Sequence, residues 1–271
     1  MPETSAVRLE IRAVGMSDVG RKRKLNEDTF AAADNLGLYV VADGMGGHAA
    51  GEVASRLAVE SIERHMAGLP TGDATAPSDI SSPAFDQSLP APARKVIAAI
   101  RMANQEIVRS VRHDASMRGM GTTVVMAYIQ GRRVYIGSVG DSRAYLVRDD
   151  EITQLTDDHT FVNEQVRAGT LTAAEARRHP ARNILTRAVG SSDDVDADVV
   201  EHDLEAGDLI LLCSDGLTTM IDDEDILQVV RRQGNDPQRA CRALIDLAND
   251  RGGDDNITAI LIQARSSARS A

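Results

Sequence analysis

The chain contains no tryptophan, three phenylalanines and four tyrosines among 271 residues. A core this poor in rings has to be packed from Leu, Ile, Val, Ala and Met, and a single domain of this length would bury roughly 70–75% of its unfolded surface. Cysteine is equally scarce. Cys213 and Cys241 lack any CxxC partner, which excludes a zinc ribbon or a disulfide scaffold. Cys213 closes the apolar run Leu209-Ile210-Leu211-Leu212, so a buried free thiol is expected. No stretch approaches the ~18–20 apolar residues of a membrane span. The opening residues, MPETSAVRLEIRAV, alternate like a strand and lack a basic-then-apolar leader, so a cytoplasmic protein is expected. Positive charge is in deficit, with 30 Lys and Arg against 41 Asp and Glu, a net −11. Such a surface repels nucleic-acid backbones and anionic membranes, excluding both as default partners. The dinucleotide glycine fingerprint, the P-loop lysine motif and the His-Cys-x5-Arg signature of cysteine phosphatases are all missing.

Hydrophobic content is an ordinary 42%, and its periodicity organises the chain. Strands are predicted over residues 7–14, 36–42, 122–129, 133–139, 143–147, 209–213 and 257–263. Helices are predicted over 52–66, 93–112, 223–232 and 237–250, with shorter helical patterns at 161–167 and 173–178. Gln130-Gly131-Arg132 reads as a hairpin turn. Residues 68–92 shift to Gly, Pro, Ser, Asp and Thr with little periodicity and read as a flexible insertion. Strands that come in runs, with the long helices in two blocks, favour helices outside antiparallel sheets over a parallel βαβ sheet.

Four segments share one design, an apolar strand running into a carboxylate flanked by small residues. They are Val40-Val41-Ala42-Asp43-Gly44, Ser138-Val139-Gly140-Asp141-Ser142, Leu212-Cys213-Ser214-Asp215-Gly216 and Gly253-Asp254-Asp255-Asn256-Ile257. A fifth acidic group, Asn26-Glu27-Asp28, follows the basic loop Arg21-Lys22-Arg23-Lys24. A single Asp-Gly is ordinarily a turn, but an Asp at a buried strand end must be paired or metal-bound. If the four segments converge, their all-oxygen ligands suit Mg²⁺ or Mn²⁺ rather than zinc. Several shared carboxylates suit a two-metal centre for in-line attack on phosphorus. An arginine from the basic loop would then grip the remaining phosphate oxygens.

In these residues the sequence resembles the metal-dependent PPM-type serine/threonine protein phosphatases, the protein phosphatase 2C family, in its bacterial form. The matches run in order: Arg23…Asn26-Glu27-Asp28, then Val41 to His48, Gly119-Met120-Gly121-Thr122-Thr123, Val139 to Arg143, Cys213 to Leu217, and Asp255-Asn256. The resemblance implies an α+β fold, a four-layer α-β-β-α sandwich with two central antiparallel sheets, in one catalytic domain spanning 1–265. Residues 156–193 would be its substrate-influencing flap and 266–271 a frayed tail. It implies that Asp43 bridges two Mn²⁺ or Mg²⁺ ions, with Asp215 and Asp255 on the first and Glu27 and the Gly44 carbonyl on the second. Asp28 would be a nearby acid, Asp141 would share a third ion with Asp215, and Arg23 would bind phosphate. The position after the metal-binding Asp-Gly, a general-acid His in many eukaryotic members, is Met45 here, leaving His48 as the candidate acid. His159 reads as an exposed loop residue.

The implied activity is single-step hydrolysis of phosphoserine and phosphothreonine by a metal-bridging hydroxide. Its partners would be phosphorylated proteins, kinases or their substrates, acted on by a monomer. Two rival readings are an inactive regulatory module on the same fold, disfavoured by the full set of carboxylates, and a hydrolase of small phosphate esters.

Overall fold

The structure, a computed structural model, describes residues 9–46, 50–69, 88–234 and 236–266. In chain order the elements are β1 (Leu9–Asp18), β2 (Asp28–Ala33), β3 (Leu38–Met45), α1 (Ala50–Met66), α2 (Ala91–His113), β4 (Gly121–Thr122), β5 (Val124–Gln130), β6 (Arg133–Val139), β7 (Arg143–Arg148) and β8 (Glu151–Gln154). They continue with α3 (Phe161–Arg167), α4 (Ala173–Ala176), β9 (Asp198–Asp203), β10 (Leu209–Cys213), α5 (Asp215–Thr218), α6 (Asp223–Arg232), α7 (Pro237–Asp250) and β11 (Ile257–Ser266). One sheet runs β1-β11-β10-β7-β8 and the other β2-β3-β5-β6-β9, with β4 pairing β3. Every pairing is antiparallel. This is the α+β, two-sheet sandwich expected from the sequence.

Alternation along the strands creates the layers. In β3, Tyr39 and Val41 face the second sheet, where Ile210 and Leu212 of β10 and Ile260 and Ile262 of β11 meet them. Their neighbours Leu38, Val40 and Ala42 point the other way, onto Ala54, Ala58 and Ile62 of α1 and Val96, Ile100 and Ile107 of α2. In β10, Leu209, Leu211 and Cys213 turn outward onto Ile226 of α6 and Leu244 of α7. Period-2 strands between two helical pairs therefore give helix, sheet, sheet, helix. Both cysteines are buried and free, and burial pushes each thiol up to about 12, so neither is a nucleophile at neutral pH.

Local signals fix the helix ends. Asp222 accepts from the Asp225 N–H while the Asp225 carboxylate accepts from the Asp222 N–H, a capping box opening α6. Asp236 caps α7 ahead of Pro237. The hairpin between β5 and β6 turns at Gly131, where φ is 65°.

Several boundaries differ from expectation. α2 starts at Ala91, so the proposed insertion ends sooner, and residues 70–87 of it lie outside the described residues. β11 runs on through Ser266, absorbing the first residue of the proposed tail, and 267–271 lie outside the described residues. β2, β8 and β9 were not expected. Among the described residues no helix is long and apolar enough to cross a membrane.

Candidate active site

The ends of β3, β6, β10 and β11 open onto one edge of the sandwich and bring the acidic segments together. β2 pairs with β3 so that Asp28 stands directly opposite Asp43. Like charges facing each other across an antiparallel ladder repel, and this pair is also taken out of water. Burial, then the charges of Asp28, Asp215, Asp141 and Asp255, raises the Asp43 carboxyl well above the usual carboxylate range. Burial likewise pushes Asp28 up to about 7, against hydrogen bonds from Thr258 and Ser214. Asp215, first residue of α5, is raised by burial and by Asp255, against a hydrogen-bonding contribution from Asp43. Asp141 is pushed to about 7 by burial, Asp215 and Asp158. Glu27 is raised by burial, which outweighs the nearby Arg23. Such mutual elevation requires the expected carboxylates to share one neighbourhood.

Polar side chains hold this cluster in place, Thr123, Ser142, Ser214 and Asn256 from within the matched motifs and Thr258 from outside them. The Oδ2 of Asp28 accepts from Ser214 Oγ at 2.7 Å and Thr258 Oγ1 at 2.6 Å, while its buried Oδ1 has no hydrogen-bond partner. Asn256 accepts from the Glu27 N–H at 2.7 Å and donates to the Val19 and Leu25 carbonyls, pinning both ends of the basic loop. Thr123 donates to the Asp43 carbonyl through its backbone and accepts the Asp43 N–H through Oγ1. Its hydroxyl also meets Ser142 Oγ at 2.7 Å, tying the Asp43 strand to the Asp141 turn. Gly44 must be glycine, since a Cβ there would stand 2.1 Å from the Gly51 carbonyl oxygen and 2.6 Å from that of Glu27.

Arg23 places Nη2 at 2.6 Å from Asp255 Oδ2, with its side chain about half exposed. It is thus drawn onto one of the expected ligands, at the mouth of the cluster. His48 lies outside the described residues. His159 is not an exposed loop residue: it is 2% exposed. Its Nδ1 accepts from the Gly140 N–H at 3.0 Å and its Nε2 faces Asp198 Oδ2 at 3.1 Å, so the Nε2–H tautomer satisfies both contacts. Asp198 also accepts from Arg187. Burial alone would raise Asp198, but these bonds prevail and hold its carboxyl below the usual range. The preceding residue, Asp158, takes a two-bond grip on Arg143, at 2.8 and 2.6 Å. Asp158 and His159 therefore clamp the start of the segment leading into α3 onto both sides of the Gly140-Asp141-Ser142-Arg143 turn.

A buried, oxygen-only donor set with an orphaned carboxylate oxygen and unrelieved mutual repulsion fits hard divalent cations. No three Asp, Glu, His or Cys side chains among the described residues close into a finished coordination cage. The carboxylates are gathered around the edge without being drawn onto a single point.

The model of the protein phosphatase 2C family matches residues 19–252, and the chain belongs to that family. It is 38% identical over 255 residues to the serine/threonine protein phosphatase PstP of Mycobacterium tuberculosis, covering 94% of this chain and 45% of PstP. The chain thus spans about half the length of PstP. Over 250 residues it is 36% identical to the serine/threonine phosphatase stp of Listeria monocytogenes, covering 91% of this chain and 93% of that protein. Among solved structures, the catalytic domain of PstP in complex with two manganese ions superposes with a TM-score of 0.79 at 35% identity, over 95% of this chain and 99% of that one.

Proposed function

We propose that this chain is a metal-dependent phosphatase that hydrolyses phosphoserine and phosphothreonine in proteins. One observation carries the reading: Asp28 and Asp43 face each other across a buried ladder, and Asp141, Asp215 and Asp255 add their charge to the same place. That arrangement is costly for a resting protein and suits one that holds divalent cations. The names of its relatives and the manganese in the PstP structure support the same reading.

Asp43, Asp215 and Asp255 would hold a first ion, with Asp43 shared toward a second beside Glu27 and the Gly44 carbonyl. Asp141, with Asp215, would hold a third. Bound there, Mn²⁺ or Mg²⁺ would acidify a water molecule and offset the charge that builds on phosphorus. Asp28 does not need to touch an ion, because Ser214 and Thr258 occupy one of its oxygens and its charge acts on Asp43 across the ladder. Arg23 sits at the mouth, where exchanging Asp255 for a phosphate costs it little, since the guanidinium fork accepts either oxyanion. His48 or water would supply the proton for the departing Ser or Thr alkoxide. Residues 1–265 would form the catalytic domain, with 156–193 as its flap.

The test is phosphate release from a phosphothreonine peptide by the parent and by Asp215→Asn, with Mn²⁺ or with EDTA. Turnover should require Mn²⁺ and fall by at least about 100-fold in the variant. A parent that binds Mn²⁺ yet releases no phosphate would overturn the reading.

A further inference from the structure

Across residues 156–193 the flap's five arginines are balanced by three aspartates at its ends and two glutamates, but its interior is basic. Residues 161–192 contain five arginines against two glutamates, whereas the whole chain has 30 Lys and Arg against 41 Asp and Glu. Two of the five are committed, Arg167 to Asp157 and Arg187 to Asp198. Arg177, Arg178 and Arg182 are exposed, and among the described residues their side chains make no ion pair or hydrogen bond. In the acidic stretch that follows, Asp193 pairs with Arg112 and Asp198 with Arg187 and His159, and among the described residues neither Asp194 nor Asp196 forms an ion pair with these three arginines.

Consecutive turns compact the three arginines. The Arg178 N–H donates to the Glu175 carbonyl, His179 to Ala176 and Arg182 to His179. Beside them lie two of the few large apolar side chains left in solvent, Phe161 at 39% and Ile184 at 57% exposed. These two belong together, since the Phe161 N–H donates to the Ile184 carbonyl at 2.8 Å and the Phe161 ring lies 6.2 Å from that of His179. The patch is anchored next to the carboxylate cluster. Thr160 bridges Leu185, and the neighbouring His159 N–H donates to the carbonyl of Gly140, one residue before Asp141.

We propose that this patch docks the acidic flank of a phosphorylated protein segment, with the Phe161–Ile184 surface taking one apolar side chain of it. The proposal rests on the phosphatase reading above and adds the class of substrate. Free guanidinium groups beside a site on a body of net −11 favour an anionic stretch that reaches the flap. Their planar forks match carboxylates. Each exposed pair contributes little alone, and three together amount to roughly tenfold in affinity. A nucleic acid, charged along its whole length, would meet the negative body on either side of the patch and find only the Phe161 ring there to stack on.

The deciding experiment measures fluorescence anisotropy of two labelled peptides carrying a non-hydrolysable phosphonate analogue of phosphothreonine on the full chain with Mn²⁺, one with Asp and Glu flanks and one with Ser and Gly flanks. The acidic peptide should bind the parent roughly tenfold more tightly. That margin should shrink in about 0.5 M salt and disappear in Arg177→Gln/Arg178→Gln/Arg182→Gln, whose unchanged thermal midpoint shows that it is folded. Equal binding of both peptides by the parent, a margin that survives in the variant, or tighter binding of an oligonucleotide of similar length would each overturn the proposal. Turnover of p-nitrophenyl phosphate by the parent is measured alongside. Its absence would sink the phosphatase reading, while the peptide comparison would still decide the docking surface.

Discussion

Asp28 shows at residue scale how the site stores repulsion. Only its Oδ2 has partners, Ser214 and Thr258, while its buried Oδ1 has none and Asp43 stands opposite across the ladder. Asp28→Asn would keep the acceptor for both hydroxyls, place an N–H donor where Oδ1 lies and remove one charge. In EDTA at neutral pH this variant should be more stable than the parent by about 1–2 kcal/mol, read from urea unfolding. Gly216 presents the opposite constraint. A Cβ there would stand 2.0 Å from the Asn256 carbonyl oxygen, so Gly216→Ala must push α5 away from β11. With it Asp215 would move away from Asp255. A loss of roughly 2–3 kcal/mol is expected in the same unfolding assay, with weaker Mn²⁺ binding by calorimetry.

Among the elements, those with a strong period were legible in sequence and those at sheet margins were not. The expected bounds of α3, α6, α7 and β10 coincide with the observed ones, because each carries an unbroken apolar stripe or run. The three missed strands, β2, β8 and β9, all lie at sheet edges. An edge strand needs partners on one side only and tolerates polar residues, so Glu151-Ile152-Thr153-Gln154 and the Asp198–Asp203 run carry too little alternation to read. Missing β9 also hid the role of His159, since Asp198, which faces its Nε2, opens that strand. The site carboxylates themselves were legible as strand ends that run into Asp. Ser214, Thr123 and Asn256 lay within the matched motifs without a role assigned to them, and Thr258 had no signal at all, because it meets Asp28 across 230 positions of chain and neither residue forecasts the other. The clamp can be tested directly. His159→Phe would fill the space but leave the Gly140 N–H and one Asp198 contact unmade. It should cost about 1–3 kcal/mol and speed amide exchange across residues 160–190, because the segment would then lose the imidazole bonds and keep only the Asp158–Arg143 grip and its backbone contacts.

At the scale of the whole molecule, the buried carboxyls and the exposed ion pairs respond to pH in separate windows. Asp225 is depressed to about 2, chiefly by the hydrogen bond from Arg251, so its contribution is present above the ordinary carboxylate pKa and is lost as pH falls through about 2. Asp28 and Asp141 are raised to about 7, and Asp43 and Asp215 are raised in the same direction. A carboxyl raised in the folded state holds its proton there after the unfolded chain has released it. The folded state then binds more protons than the unfolded one, and stability falls as pH climbs from about 4 to about 7. His65, lowered by burial, works against this trend near its ordinary pKa, but Glu27 and Glu63 are raised too, so one group opposes six. The net −11 adds self-repulsion as the pH rises. In EDTA the thermal midpoint should therefore be highest near pH 4–5 and decline toward pH 7. With saturating Mn²⁺ the decline should flatten or reverse, since a cation competes with protons for the same oxygens and binds more tightly as they leave. Scanning calorimetry across that range, with and without Mn²⁺, reads both curves. A midpoint that rises steadily to pH 7 in EDTA would mean that the carboxylates are not held as close in solution as the sandwich edge places them.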